Sequence, residues 1–306
     1  MPSVLAIDLG GTRIKLGVVE DGRVVARDLL PSVATAGLGP RLPALTEAIQ
    51  RLSAGRSFAA LGMAAPGIVD RRAKRITAIN AKWSDAPRLD LTGWVRDQWQ
   101  VPLTLENDAM AALAGEWRQG AAQGADGAVM ITLGTGIGAA AVVDGRLLHG
   151  SHGQAAIAGH LTVQVGGRRC SCGNRGCAEA EASTSVLPEL ARADGRFTTS
   201  ALAREDILDY AAVFRLAEQD DLARALRDRA LAVWGALAVS LVHAYDPEVL
   251  IIGGGIAAAG SALFAPLGDH LRNYAWTPWG SVDLRPALLA DDAALLGIAA
   301  LALDHP

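Results

Sequence analysis

The apolar positions along the chain change period several times, and each change marks an element. VLAIDLG at 4–10 is a continuous apolar run ending on an acid and a glycine, the pattern of a buried strand that meets a turn. RIKLGVV at 13–19 alternates apolar and polar residues, and Asp21-Gly22 supplies a hairpin turn before RVVARDLL at 23–30. A helix is expected from about Arg41 to Ser53, then a buried strand over AALGMAAPG at 59–67, closed by proline and glycine. VPLTLEND at 101–108 reads as a strand whose end runs into a helix, AMAALAGEWRQGAA. In the last third, DLARALRDRALAVWGALAVSLVHAYDPE at 221–248 places alanine, leucine and valine at helical spacing and stops before the strand VLIIGG. A glycine turn, GGGIAAAG at 253–260, follows that strand, and Ala293 to Leu303 predicts a final apolar helix.

One pattern occurs twice. TLGTGIGAAAVVDGRLL at 132–148 repeats DLGGTRIKLGVVEDGRVV at 8–25, with Asp8 opposite Thr132, Gly10 opposite Gly134, and Glu20 inserted before the shared Asp-Gly-Arg. An apolar strand, a glycine turn, a second strand and an Asp-Gly hairpin therefore recur in the same order. That recurrence predicts two related lobes, each a mixed sheet flanked by helices. No low-complexity linker divides the chain, so the lobes are expected to pack directly together.

Composition narrows the class. The 306 residues suffice for one large or two medium domains, and 51% of them are hydrophobic, an ordinary soluble globular composition. A net charge of -4 gives no general attraction to nucleic acid or an anionic membrane. The longest apolar runs are too short and too glycine-rich for a membrane span. MPSVLAIDLGG lacks the basic region and long apolar core of a signal peptide, so a cytoplasmic protein is expected.

Glycine lets backbone N–H groups approach a phosphate closely, because no Cβ stands in the way. DLGGT adds an acid at the strand end and a hydroxyl, which suits a nucleotide with its magnesium. The backbone and Thr12 would meet phosphate oxygens, and Asp8 the water shell of the metal. Thr135 and Gly136 could grip the same phosphate tail, and the glycines at 253–255 would leave room for base or ribose. No G-x-x-x-x-G-K-[ST] is present, and no G-x-G-x-x-G follows the first strand, so neither a P-loop nor a Rossmann site is supported. All three cysteines, Cys170, Cys172 and Cys177, fall within eight residues, just after His160. One imidazole and three thiols are the donor set of a closed structural zinc site, with His149 and His152 as rival imidazoles.

Taken together, DLGGT at 8–12, Ala65-Pro66-Gly67, Glu106-Asn107-Asp108, LGTGIG at 133–138, and Gly159-His160 with CSCGNRGCAE resemble the ROK family, within the actin–hexokinase–Hsp70 superfamily. The resemblance runs from Val4 to the last helix. It implies an α/β fold of two actin-like (ribonuclease H-like) lobes, each with a five-stranded type of mixed sheet, and an active-site cleft between them. The first lobe is expected over 1–110, completed by 293–306, and the second, with the zinc loop, over 111–292. It further implies an ATP-dependent, magnesium-requiring sugar kinase acting on the primary hydroxyl of a hexose or N-acyl hexosamine. Glucose leads, N-acetylmannosamine follows, and fructose or allose remain open.

The same resemblance assigns residues. Asp108 is the general base, where residue type alone suggests only a helix cap for Asn107 or Asp108. Gly67, Asn80, Asn107, Asp108, His160 and Glu179 fall in the sugar site. Asp8, Gly10, Gly11, Thr12, Lys15, Thr135, Gly136, Gly254 and Gly255 fall in the nucleotide site, and His160, Cys170, Cys172 and Cys177 hold Zn2+. A homodimer is implied as well. One position departs from the family: Gly-Glu-Ile-Gly-His reads Ala156-Ile157-Ala158-Gly159-His160, so Ile157 replaces a sugar-binding glutamate. Two rivals stand beside the kinase. A non-catalytic sugar-binding protein is compatible with Ile157. A sugar-responsive repressor would need a helix-turn-helix ahead of Asp8, where the sequence leaves no room.

Overall fold

The computed structural model describes residues 3–79 and 82–304. The chain opens with β1 (Val4–Leu9), β2 (Arg13–Glu20) and β3 (Arg23–Pro31), followed by α1 (Leu42–Leu52), β4 (Ala60–Ala65), β5 (Ile68–Asp70) and β6 (Arg75–Ala78). Then come α2 (Leu91–Trp99), β7 (Leu103–Asn107) and α3 (Asp108–Gln119). The repeat begins with β8 (Ala128–Leu133), β9 (Ile137–Val143) and β10 (Arg146–Leu147). After it come α4 (Ala178–Ala182), α5 (Leu187–Ala193), α6 (Tyr210–Leu216), α7 (Asp221–Tyr245) and β11 (Val249–Gly253). The chain finishes with α8 (Ser261–Tyr274), β12 (Asp283–Pro286) and α9 (Ala293–Asp304).

The internal repeat is visible in the sheets. One has the order β3-β2-β1-β4-β7 and the other β10-β9-β8-β11-β12, so corresponding strands hold corresponding places. In the first, β2 is antiparallel to β1 and β3, while β4 and β7 run parallel to β1. In the second, β9 is antiparallel to β8, and β11 and β12 run parallel to it. The two Asp-Gly turns have the same backbone: φ is +48° and +72° at Asp21-Gly22, and +50° and +65° at Asp144-Gly145. Two successive positive φ values are the type I′ turn, whose twist matches that of paired strands.

The chain divides into two compact units. The first takes in the chain up to Ala125, Leu147–Ala156, and everything from Leu288 onward; the second is Asp126–Arg146 with Ile157–Ala287. This corrects the expected boundary at 110, for a packing reason. α3 runs on to Gln119 and lies against α9, where a Cβ on Gly297 would stand 1.8 Å from the Ala111 carbonyl oxygen and one on Gly115 would stand 2.2 Å from that of Ala293. Only glycine lets the two backbones meet so closely. Leu147–Ala156 joins the same unit because His149 pairs with Glu106 and Gly153 abuts the Val69 carbonyl.

At the end of α3, Glu116 is fully buried without a cationic partner among the described residues. Its Oε2 accepts from the N–H groups of Ala121 (2.7 Å) and Leu288 (3.1 Å), and its Oε1 from that of Leu289 (2.7 Å). One carboxylate thus joins the end of α3 to the chain that leads into α9. Glu116→Ala removes the carboxylate acceptor of three backbone N–H groups and is expected to cost about 3–5 kcal/mol of unfolding free energy. Denaturant unfolding measures it, and a loss below about 1 kcal/mol would show that the donors find other partners.

Candidate active site

In the first unit the strand ends carry the chemistry. Asp8 is the fifth residue of β1 and is 9% exposed. Lys15, on the neighbouring strand β2, places its Nζ 3.6 Å from Asp8 and 3.0 Å from Asp291. Burial raises the Asp8 carboxyl above its usual range, and Lys15 opposes that only in part. Gly10, Gly11 and Thr12 form the turn after β1; Gly11 and Thr12 are exposed, and the Ser32 hydroxyl donates to the Gly11 carbonyl at 2.8 Å.

Asn107 ends β7 and caps α3: its Oδ1 accepts from the N–H groups of Ala109 (3.0 Å) and Met110 (3.2 Å). Its Nδ2 donates to the Gly67 carbonyl at 3.0 Å, which fixes the amide orientation. The cap reading of this motif therefore holds for Asn107, and Asp108 is left as the first residue of the helix. Asp108 is only partly exposed. Burial, then the charge of Asp8, pushes it up to about 6, against the hydrogen bond from the Ala109 N–H. A carboxyl titrating there is ionised at neutral pH yet keeps enough basicity to take a proton. Asn80 lies outside the described residues.

Glu106 escaped the sequence reading. Its carboxylate is 3% exposed, with Oε1 accepting from the Asn107 N–H at 2.8 Å and Oε2 2.9 Å from His149 Nε2. Arg71 stands 3.8 Å from the same Oε2. The pair braces the strand end that presents Asn107 and Asp108. It also removes His149 from the candidate metal ligands, and no local pattern signals a contact across 43 positions of sequence.

In the second unit the turn between β8 and β9 holds Gly134, Thr135 and Gly136. It is clamped from outside, since Thr184 N–H donates to the Gly134 carbonyl (3.0 Å) and Ser185 N–H to that of Thr135 (3.1 Å). Glu179, on α4, reaches the same turn: its Oε2 accepts from the Ile137 N–H at 3.0 Å. A Cβ on Gly136 would meet that carboxylate at 2.6 Å, and one on Gly159 would strike the Ile137 carbonyl oxygen at 2.0 Å. Ile137 thus joins the glycine turn to both Glu179 and the segment bearing His160. Gly254 packs on the Leu133 carbonyl with φ +83°, while a Cβ on Gly255 would meet nothing within 4 Å.

His160, Cys170, Cys172 and Cys177 converge, with one donor atom from each lying within 4.8 Å of the others. Cys170 Sγ is 3.5 Å from His160 Nδ1, and Cys172 Sγ is 3.7 Å from Cys177 Sγ. Ligands ~2.3 Å from a tetrahedral zinc stand ~3.8 Å apart, so the cluster has the size the ion requires. Burial, then hydrogen bonds with Cys172 and Cys170, pushes the Cys177 thiol up to about 12, so its thiolate needs a cation to be stable, whereas backbone and cysteine hydrogen bonds lower Cys172. The donor set fits zinc, with no fifth position for water. Glu181, two residues beyond Glu179, is fully buried; it accepts from the Arg168 N–H at 2.6 Å and pairs with Arg229 of α7. This pairing holds the loop and α4 against the unit's longest helix.

The ROK family model matches residues 4–305. The chain belongs to the ROK family. Within that family, the glucokinase of Thermotoga maritima is 33% identical, over 97% of this chain and 96% of its own. An N-acetylmannosamine kinase of Vibrio cholerae is 28% identical over 83% and 84%. The crystal structure of a ROK glucokinase from Streptomyces griseus in complex with glucose and AMPPNP superimposes with a TM-score of 0.84, at 29% identity and 99% coverage of both chains. The ROK fold of two five-stranded, actin-like units is thus shared over the whole chain.

Proposed function

We propose that this ROK-family chain transfers the γ-phosphoryl group of ATP to the primary hydroxyl of a hexose or N-acyl hexosamine, glucose first. Its standing as an ATP-dependent sugar kinase rests on full-length similarity to glucokinases. The observation that carries the mechanism is Asp108. It is a helix-first carboxyl raised to about 6 by burial and by the charge of Asp8 in the same unit. Asp108 takes the proton of the attacking hydroxyl. Asn107 and Gly67 are assigned to sugar binding in the first unit, and the family resemblance assigns His160 and Glu179 to sugar binding as well. Asp8 would meet the waters of a bound magnesium ion, and the turns at 10–12 and 134–136 each offer backbone N–H groups of the kind that suit phosphate oxygens. Lys15 assists Asp8, and Gly254 and Gly255 leave space for the nucleoside. Magnesium would supply charge neutralisation; the chain's own task is alignment. Zinc, held by His160 and the three cysteines, would brace the loop.

Ile157 bears on the substrate. It is half-buried and immediately precedes the short 3-10 turn Ala158–His160, and its side chain cannot accept a hydrogen bond. The preferred sugar is one that asks for no acceptor there. A panel of glucose, N-acetylmannosamine, fructose and allose, with ATP and magnesium in a coupled ADP-release assay, is expected to show turnover on at least one. Ile157→Glu is expected to tighten glucose binding about tenfold, equivalent to about 1.4 kcal/mol. Silence across the panel with retained sugar binding would favour the second reading that Ile157 raises, a non-catalytic sugar-binding protein. The proposal extends to a cytoplasmic homodimer, as the family resemblance implies; sedimentation equilibrium reports its mass.

A further inference from the structure

Lys82 belongs to no motif of the sequence, yet its ammonium stands over the first glycine turn. A Cβ placed on Gly11 would meet Lys82 Nζ at 2.5 Å and its Cδ at 3.3 Å, so the lysine side chain lies directly against the turn. The lysine is held from its C-terminal side. Trp83, the next residue, is fully buried in the core of the first unit and donates its N–H to the Ala34 carbonyl at 2.9 Å. Its φ of +54° is rare for a bulky side chain, and such strain persists only where the surroundings impose it. Two residues further on, Asp85 accepts from the N–H groups of Leu38 (2.6 Å) and Gly39 (2.8 Å).

Charge accounting singles this lysine out. Asp8 and Asp108 place two carboxylates in the site, and Lys15 is committed to Asp8 and Asp291. Lys82 makes no ion pair among the described residues. Half-exposed, unpaired and set against a turn whose N–H groups suit phosphate, it is a cation waiting for an anion. We propose that Lys82 is a catalytic residue that contacts the transferring phosphoryl group of the nucleotide and stabilises the charge on its equatorial oxygens. The inference rests on the kinase reading and deepens it. In a loose phosphoryl-transfer transition state such a cation works by electrostatics and needs no proton transfer.

The test compares wild type, Lys82→Met and Lys82→Arg. With MgATP and the sugar turned over by wild type, K82M is expected to lower kcat about 10- to 100-fold, while K82R retains most of it. Sugar affinity, measured by calorimetry without nucleotide, should stay within about twofold, as should the unfolding midpoint in denaturant. A second probe needs no turnover: magnesium tripolyphosphate should bind K82M about fivefold or more weakly than wild type. A kcat for K82M within about threefold of wild type overturns the role, as does an equal loss of sugar affinity. If wild type is silent on every sugar, the kinase reading fails; equal tripolyphosphate affinity for wild type and K82M then removes Lys82 as a phosphate contact too.

Discussion

Asp108→Asn is expected to lower kcat by about 10²- to 10⁴-fold, the usual contribution of a general base, while sugar still binds. The same substitution should make the apo protein more stable at neutral pH. Burial and the charge of Asp8 hold the Asp108 carboxyl at about 6, above its ordinary 3.8. A folded-state value above the unfolded one means that the native chain binds the proton more tightly. Asp108 therefore detracts nothing below about pH 4, costs stability as pH rises from about 4 to 6, and exacts its full penalty above that. The shift is worth roughly 1–3 kcal/mol. Asparagine carries no charge at any pH, so the variant should melt higher at pH 7.5, and the gap should close near pH 4. In the wild type, kcat/KM should fall about tenfold per pH unit below 6, where the base is protonated. An asparagine variant that is slower but no more stable would refute the burial account; one that is as fast as wild type would place the base elsewhere.

Cys177→Ser is expected to release bound zinc and unfold the loop from Leu161 to Cys177. The wild type should contain about one zinc per chain by elemental analysis, and the variant close to none. Metal binding at such sites is itself folding free energy, so a loss of about 4 kcal/mol or more is expected. The functional consequence should be uneven. Glu179 is the second residue of α4, which starts immediately after Cys177, and His160 is both a proposed ligand and part of the adjoining turn. KM for the sugar should therefore rise about tenfold or more, while the first-unit nucleotide turn keeps its backbone. Zinc-free wild type with full activity would show that the cluster is not what holds these residues.

Much of this architecture is written in local pattern. The strand–turn–strand repeats need only apolar alternation and an Asp-Gly pair, and both units fold with the same strand order. β5 with β6, α2, the short helices α4 to α6, and β12 are not legible in that way. α2 has Gly93 inside it and is started by Asp90, whose carboxylate accepts from the Gly93 N–H. β12 is four half-exposed or exposed residues ending in proline, with no alternation; it becomes a strand because β11 offers a free edge.

The site divides along the same line. Residues whose roles depend on near neighbours, such as the cysteine cluster, the Asn107 cap and the glycine turns, could be read from spacing. The order of residues alone determined the duplicated lobes, the glycine turns and the gathering of three cysteines near His160, because hydrogen bonds and side-chain distances over a few residues are set by chain geometry. Tertiary structure decided the rest: which acids are buried and which cations meet them. Glu106 and Glu181 look like ordinary surface acids in the sequence, yet each is buried against a partner supplied 43 or 48 residues away, an imidazole for the first and a guanidinium for the second. Glu116 and Lys82 are likewise defined by what the fold sets opposite them. A charge takes its meaning from the groups that replace its water, and only folding chooses those groups.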